Sequence, residues 1–358
     1  MLHCHFQFDS ISRQSKYAGR VSTTTDLWSV SQTKASFMGI TAHWIESNSM
    51  SGKWTLHSKV VAFQAIYGPH SGTNLGHYFI SSMEHFGMLT PNSTNLLCIT
   101  ADNASNNHVM CDSIESILSH RDIYSFDSNT DRLPCLAHVL NLAITDIMSV
   151  VTNTATVETT SAIWEFDPTL PGNHVLGDSL DIISALRTLA IKIQASGQHI
   201  SYFNHLQKEC GIVNPLTIRL HSNVCWGTAD QMLERSYTLH QPINLFINSA
   251  DELFGPITTV RRHVMPVKRI PWTAFAFLSS DWDWIKDLHT IISDANNLQQ
   301  IFSFDTQPTL WQAIPAYEEL LSTWEVKLTM TTGRIRPPML PVQVLWSPLC
   351  NLLFHQQS

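Results

Sequence analysis

A chain of 358 residues with 44% hydrophobic and 14% charged side chains can bury one large core or two moderate ones, which excludes a disordered tail. Its 29 acidic against 21 basic side chains leave a formal charge of -8, so any contact with nucleic acid must come from local patches. Seven scattered cysteines without a CxxC pair suit reduced thiols; the start MLHCHFQFDSISRQ lacks a signal pattern, and no run of about 18 apolar residues could span a bilayer. The expectation is a soluble, intracellular protein with no membrane contact.

The first element is a strand through VSTTTDLWS that brings Asp26 to a strand-loop junction. From Lys34 to Ile66, KASFMGITAHWIE and WTLHSKVVAFQAI are rich in β-branched and aromatic residues and flank the turn-forming SNSMSGK, which predicts a hairpin. A helix is expected from about Thr73 to Phe86, then the apolar strand LLCIT ending at Asp102, then a helix from about Asn106 to His120. RLPCLAHVLNLAITDIM reads as a further short strand and helix. Three strands in a meander followed by alternating helix and strand is the order of a ribonuclease H-like sheet, an α/β fold whose first and fourth strands lie side by side. That adjacency would unite Asp26 and Asp102 across 76 positions, although the same order permits other α/β folds.

Between Ser149 and Ala162 the chain turns Thr- and Ser-rich and is followed by Pro168, Pro171 and Gly172, the composition of an exposed connection. Helical spacing follows. Leu180, Ile183, Leu186, Leu189, Ala190 and Ile193 recur behind a cap at Asp178 or Ser179, and Trp282 to Leu298 repeats the pattern behind Asp281. Thr228 to Ile247 reads as one helix and Pro308 to Trp324 as another, kinked or restarted at Pro315. The resulting division is an N-terminal extension (1–20), the first part of a ribonuclease H-like core (21–150), a linker (151–178), a mainly α-helical insertion (179–330) and an irregular, proline-rich tail (331–358).

Two carboxylates on neighbouring strands suit shared divalent cations, because hard cations prefer oxygen ligands. Each aspartate also has a plainer reading, Asp26 as a helix cap and Asp102 as an Asx turn ahead of a helix capped by Ser105, Asn106 or Asn107. Cys135 and His138 form a CxxH pair two ligands short of a zinc site, so a structural role under the acid pair is expected. His3, Cys4 and His5 form a compact trio at the terminus, where fraying is the ordinary account. The densest basic cluster is Arg261, Arg262, His263, Lys268 and Arg269, readable as a DNA-backbone contact or as a solvated loop.

STTTDLWSV with ITAHWIE, ITADNASNN, LPCLAHVLNLA and HSNVCWGTADQML, in that order over Val21 to Lys327, resemble the hAT superfamily of DNA transposases, particularly fungal copies. The resemblance implies a ribonuclease H-like core interrupted by a helical insertion, nuclear location, and a DDE carboxylate triad holding two Mg²⁺ or Mn²⁺ ions. In that family water or a 3′-hydroxyl attacks a phosphodiester at transposon ends. Asp26 matches the first acid and Asp102 the second, and Trp226 matches a tryptophan of the insertion that stacks on a DNA base. Cys225 stands where the family usually has an arginine. The third acid, a glutamate, has no match after about Thr332, nor do the dimerisation region that would support self-association or the amino-terminal BED zinc finger. The expectation is a copy truncated at both ends, or alternatively a non-enzymatic remnant or domesticated DNA- or protein-binding protein.

Overall fold

The structure is a computed structural model and describes residues 19–30, 33, 35–47, 50–152, 167–171, 174–175, 180–220, 227–259, 268–303 and 310–331. The chain divides into two compact units. The first takes in the described residues up to His138, with Phe302–Trp311 grouped to it, and the second takes in those from Val139 to Ile301 and from Gln312 onward.

In the first unit, β1 (Val21–Ser29), β2 (Ser36–Ser47) and β3 (Trp54–Ile66) form an antiparallel meander. Helix α1 (Gly72–His85), capped by Ser71, leads through the small hairpin β4 (Leu89–Thr90) and β5 (Ser93–Thr94) into β6 (Leu96–Ala101), which runs parallel to β1. Helix α2 (Ser105–Ser119) then returns the chain to β7 (Arg132–Pro134), parallel to β6. The sheet order β3-β2-β1-β6-β7 is the expected ribonuclease H-like arrangement, with the first and fourth long strands adjacent.

Strand alternation decides which face is core. On β2, Met38, Ile40 and Ala42 are fully buried, and they pack with Phe79 and Met83 of α1, Ile99 of β6 and Met110 and Ile114 of α2. Helices α1 and α2 approach very closely. A Cβ placed on Gly72 would lie 2.5 Å from the Asn106 carbonyl oxygen, and one on Gly76 would lie 2.8 Å from Ser113 Oγ, so these positions admit only hydrogen.

Helix α3 (Leu136–Val151) follows β7 directly. The second unit then contains α4 (Ile182–Gln194), α5 (Gly197–Glu209), α6 (Thr228–Thr238), α7 (His240–Phe254), the paired strands β8 (Ile257–Thr259) and β9 (Lys268–Ile270), a 3-10 turn at Trp272–Phe275, α8 (Ser279–Phe302) and α9 (Ala313–Thr331). Buried Trp272 ties this unit together, its Nε1 donating to the Gly255 carbonyl and its backbone N–H to Asp251 Oδ1.

Several expectations are corrected here. The cap of α4 is Asp181, whose carboxylate accepts from Ser184 N at 2.9 Å; Asp178 and Ser179 lie outside the described residues. The single helix expected over Thr228 to Ile247 is two, broken at Leu239. Pro242 is the cause, since in a continuous helix it would lack an N–H for residue 238 and its ring would press on that carbonyl. Of the kink or restart expected at Pro315 the chain takes the restart, because Pro315 sits in the first turn of α9, where its missing N–H has no intrahelical partner. Helix α5 and the β4–β5 hairpin were not expected from the sequence. No described helix is long and apolar enough to cross a membrane.

Candidate functional site

Thr24 of β1 lies beside Thr100 of β6 in their parallel ladder. Two residues further along each chain come Asp26 and Asp102, and the period of two places both on the face of Thr24, opposite buried Thr23 and Thr25. Adjoining strands run about 4.8 Å apart, so the two carboxyl groups become neighbours. One detail differs from expectation. Asp102 directly follows the last residue of β6, but Asp26 is inside β1, paired with Gly39 of β2, and the strand continues to Ser29. It is the β1–β6 ladder that ends before the acids, not β1 itself.

Each carboxylate is half engaged. Asp26 Oδ1 accepts from the Leu27 N–H at 2.9 Å, and Asp102 Oδ1 accepts from Ala104 N at 2.9 Å and from Asn107 Nδ2 at 2.6 Å. Neither Oδ2 receives a hydrogen bond among the described residues. The Asp26 carboxyl is pushed above its ordinary range, first by the crowding of protein around it and then by the charge of Asp102, against the opposing pull of the Leu27 N–H. A carboxyl so destabilised as an anion is one that a cation would relieve.

The third neighbour is Cys135. Ala101 of β6 pairs with Pro134 of β7, and the Cys135 N–H donates to the Ala101 carbonyl at 2.8 Å, so Cys135 stands next to Asp102 on the far side from Asp26. Its thiol is raised above the usual value by burial, with the charges of Asp102 and Asp26 adding to this and the backbone N–H groups of His138 and Ala137 opposing it. Those two N–H groups belong to the first turn of α3, which gives Cys135 the position of a helix cap beside the acid pair.

Two buried polar atoms beside Asp102 have no hydrogen-bond partner among the described residues, and a third, on Thr25, faces the core side of β1. Thr25 Oγ1 precedes Asp26, Asn103 Nδ2 follows Asp102, and Asn107 Oδ1 belongs to the amide that grips Asp102. Unmet hydrogen-bonding capacity of this kind is uncommon in folded proteins and gathers where a ligand, ion or water belongs. A cavity of about 160 Å³ adjoins, lined by Asp102, Asn106 and Asn107 on one side and Ser29, Ser36 and His70 on the other. Sequence reading missed Thr25, Asn103 and the grip of Asn107; the run DNASNN signalled a turn, not its bonding.

On the open face of the sheet Trp28 stacks on Phe37 at 6.0 Å and meets Phe63 at 5.2 Å, and these rings flank Asp26. Gly39 makes room for them, since a Cβ there would touch the Trp28 ring at 3.2 Å.

An oxygen-only pair fits one hard divalent cation in part, the remaining coordination falling to water or substrate oxygens. Among the described residues no three His, Cys, Asp or Glu side chains gather into a metal-holding group. Trp226, Arg261, Arg262 and His263, as well as His3, Cys4 and His5, lie outside the described residues. Lys268 and Arg269 are on β9, in the second unit, with Arg269 exposed.

Residues 24–129, which include both aspartates, match the ZBED1 RNase-like domain family, so the class of the first unit is a ribonuclease H-like domain. The chain is 32% identical over 136 residues to a Zea mays protein bearing the name of AC transposase, covering 38% of this chain and 16% of that protein. It is 27% identical over 139 residues to the zinc finger BED domain-containing protein RICESLEEPER 3 of Oryza sativa subsp. japonica, covering 38% of this chain and 17% of that protein. It is also 23% identical over 233 residues to tpeD of Talaromyces stipitatus, named as a transcriptional regulator, covering 64% of this chain and 25% of that protein. The chain is thus similar to proteins named as transposases and BED zinc finger proteins, and the matched stretch spans about a sixth of the maize and rice relatives and a quarter of tpeD.

Proposed function

We propose that Asp26 and Asp102 are two acids of an incomplete DDE centre, and that the ancestral activity is metal-dependent cleavage and transfer of DNA strands. The observation that carries this reading is the meeting of the two carboxylates on adjoining strands within the matched domain, with two unpartnered polar atoms beside Asp102. Their oxygens would hold Mg²⁺ or Mn²⁺, which supplies Lewis-acid stabilisation of the charge that develops on a phosphodiester. Asp26 offers its oxygens from a paired strand, and Asp102 from a turn locked by α2. Residues 332–358 contain no Asp or Glu, so that stretch offers no third acid. DNA ends would be met by Trp226, through stacking, and by Arg261, Arg262, Lys268 and Arg269, through phosphates, in a nuclear protein whose core spans 21–150 and whose insertion spans 179–330.

A second reading is a non-enzymatic DNA- or protein-binding protein. It is favoured by the similarity to tpeD, which reaches across 64% of the chain, well beyond the acid-bearing domain. Nicking of supercoiled plasmid by the purified chain in Mg²⁺ or Mn²⁺, with Asp102→Asn as control, separates the two. Nicking abolished by the substitution establishes the strand-cleaving reading. No nicking leaves the binding reading, and nicking that persists in Asp102→Asn removes the acid pair from the chemistry.

A further inference from the structure

We propose that Asn107 is the positioning residue of the acid pair, holding Asp102 so that its Oδ2 is presented to a cation shared with Asp26. This rests on the metal-binding reading of the two aspartates. The geometry begins with the chain itself, since only five residues separate Asp102 from Asn107, and the turn between them brings the first turn of α2 back over the strand end. Asn107 Nδ2 then lies 2.6 Å from Asp102 Oδ1 and 3.4 Å from the Asp102 carbonyl oxygen, and Ala104 N lies 2.9 Å from the same Oδ1. Two donors on one oxygen fix the carboxylate's plane and leave the other oxygen for a ligand.

The orientation of the amide is dictated by its partner, because its oxygen turned toward the carboxylate would meet an acceptor with an acceptor. Asn107 is 2% exposed, and its own Oδ1 is consequently the buried atom left without a partner. A buried acceptor wants a donor, and the adjoining cavity, which Asn107 lines, is a place from which solvent can supply it. Ala104, the residue ahead of α2, makes no side-chain cap, and its backbone N–H donates to the Asp102 carboxylate beside Asn107. Asn107 therefore links the ion site to the cavity: its donor end orders Asp102, and its acceptor end is left for a donor in the cavity.

The test is Mn²⁺ binding to the full chain, followed by the electron paramagnetic resonance of free and bound ion, with the thermal midpoint in the absence of metal measured alongside. Asn107→Leu keeps the volume and removes both ends of the amide; Ala104→Pro removes the other donor to Oδ1 at a residue whose φ of -60° is already that of proline. Each is expected to weaken Mn²⁺ affinity about tenfold and to alter the line shape of bound Mn²⁺. A merely structural role would lower the metal-free midpoint and leave affinity and line shape unchanged, which overturns the proposal. If Asn107→Leu does not fold, Asn107→Ser, whose shorter side chain cannot reach the Asp102 carboxylate, decides by the same readings. Unaltered Mn²⁺ binding in Asp26→Asn and Asp102→Asn would sink the metal-binding reading itself, whereas binding lost in those two but untouched in the Asn107 and Ala104 variants sinks this inference alone.

Discussion

At the scale of single residues, the acid pair sets a cost that the fold carries without a cation. The Asp26 carboxyl is pushed above its ordinary value of 3.8, first by burial, so its anion is less favoured in the folded chain than in the unfolded one. The sign follows from linkage: stability from this group is full below pH 3.8 and is lost as pH rises through the elevated folded value. Asp26→Asn should accordingly raise the thermal midpoint at pH 7 and leave it unchanged at pH 3. Equal midpoints for the two proteins at pH 7 would contradict this. Asp26 and Asp102 were legible as acids near strand ends because apolar strands announce themselves in VSTTTDLWS and LLCITA. The register that makes them neighbours was not, since it depends on the pairing of Thr24 with Thr100, 76 positions apart.

At the scale of elements, the contact between α1 and α2 governs the site indirectly, because α2 carries Asn107. Gly72→Ala should destabilise by about 2–3 kcal/mol in urea unfolding, since its Cβ would meet backbone atoms of Asn106 and Met110 that cannot swing aside. The same substitution at Gly197, where a Cβ meets nothing within 4 Å at the start of α5, should be neutral or stabilising by about 0.5–1 kcal/mol. A Gly72→Ala protein as stable as the parent would show that the helices readily part. The long strands and α1 to α4 were readable from their apolar periods. Helix α5 was not, because its buried face is only Phe203, Leu206 and Gln207, too thin a stripe to stand out. The break at Leu239 depended on Pro242 clashing backwards by one turn, which a period count does not register.

At the scale of the whole molecule, an excess of acidic over basic side chains means that DNA affinity, if the insertion provides it, comes from few phosphate contacts. With Arg261, Arg262, Lys268 and Arg269 all engaged, log affinity for duplex should fall with log salt at a slope of about -3.6, and Arg269→Ala should reduce that slope by about 0.9. A slope unchanged in the variant removes Arg269 from the interface. The sheet itself holds a further consequence. β1 runs past Asp26 to Ser29 and is braced there by β2, while β6 stops at Ala101 and leaves Asp102 on a turn. The pair is a vice whose jaws are clamped by different means, one by the pairing of β1 with β2 and one by the hydrogen bonds of a turn, so discrimination between small and large divalent ions would be tuned by altering the turn's donors and not the strand.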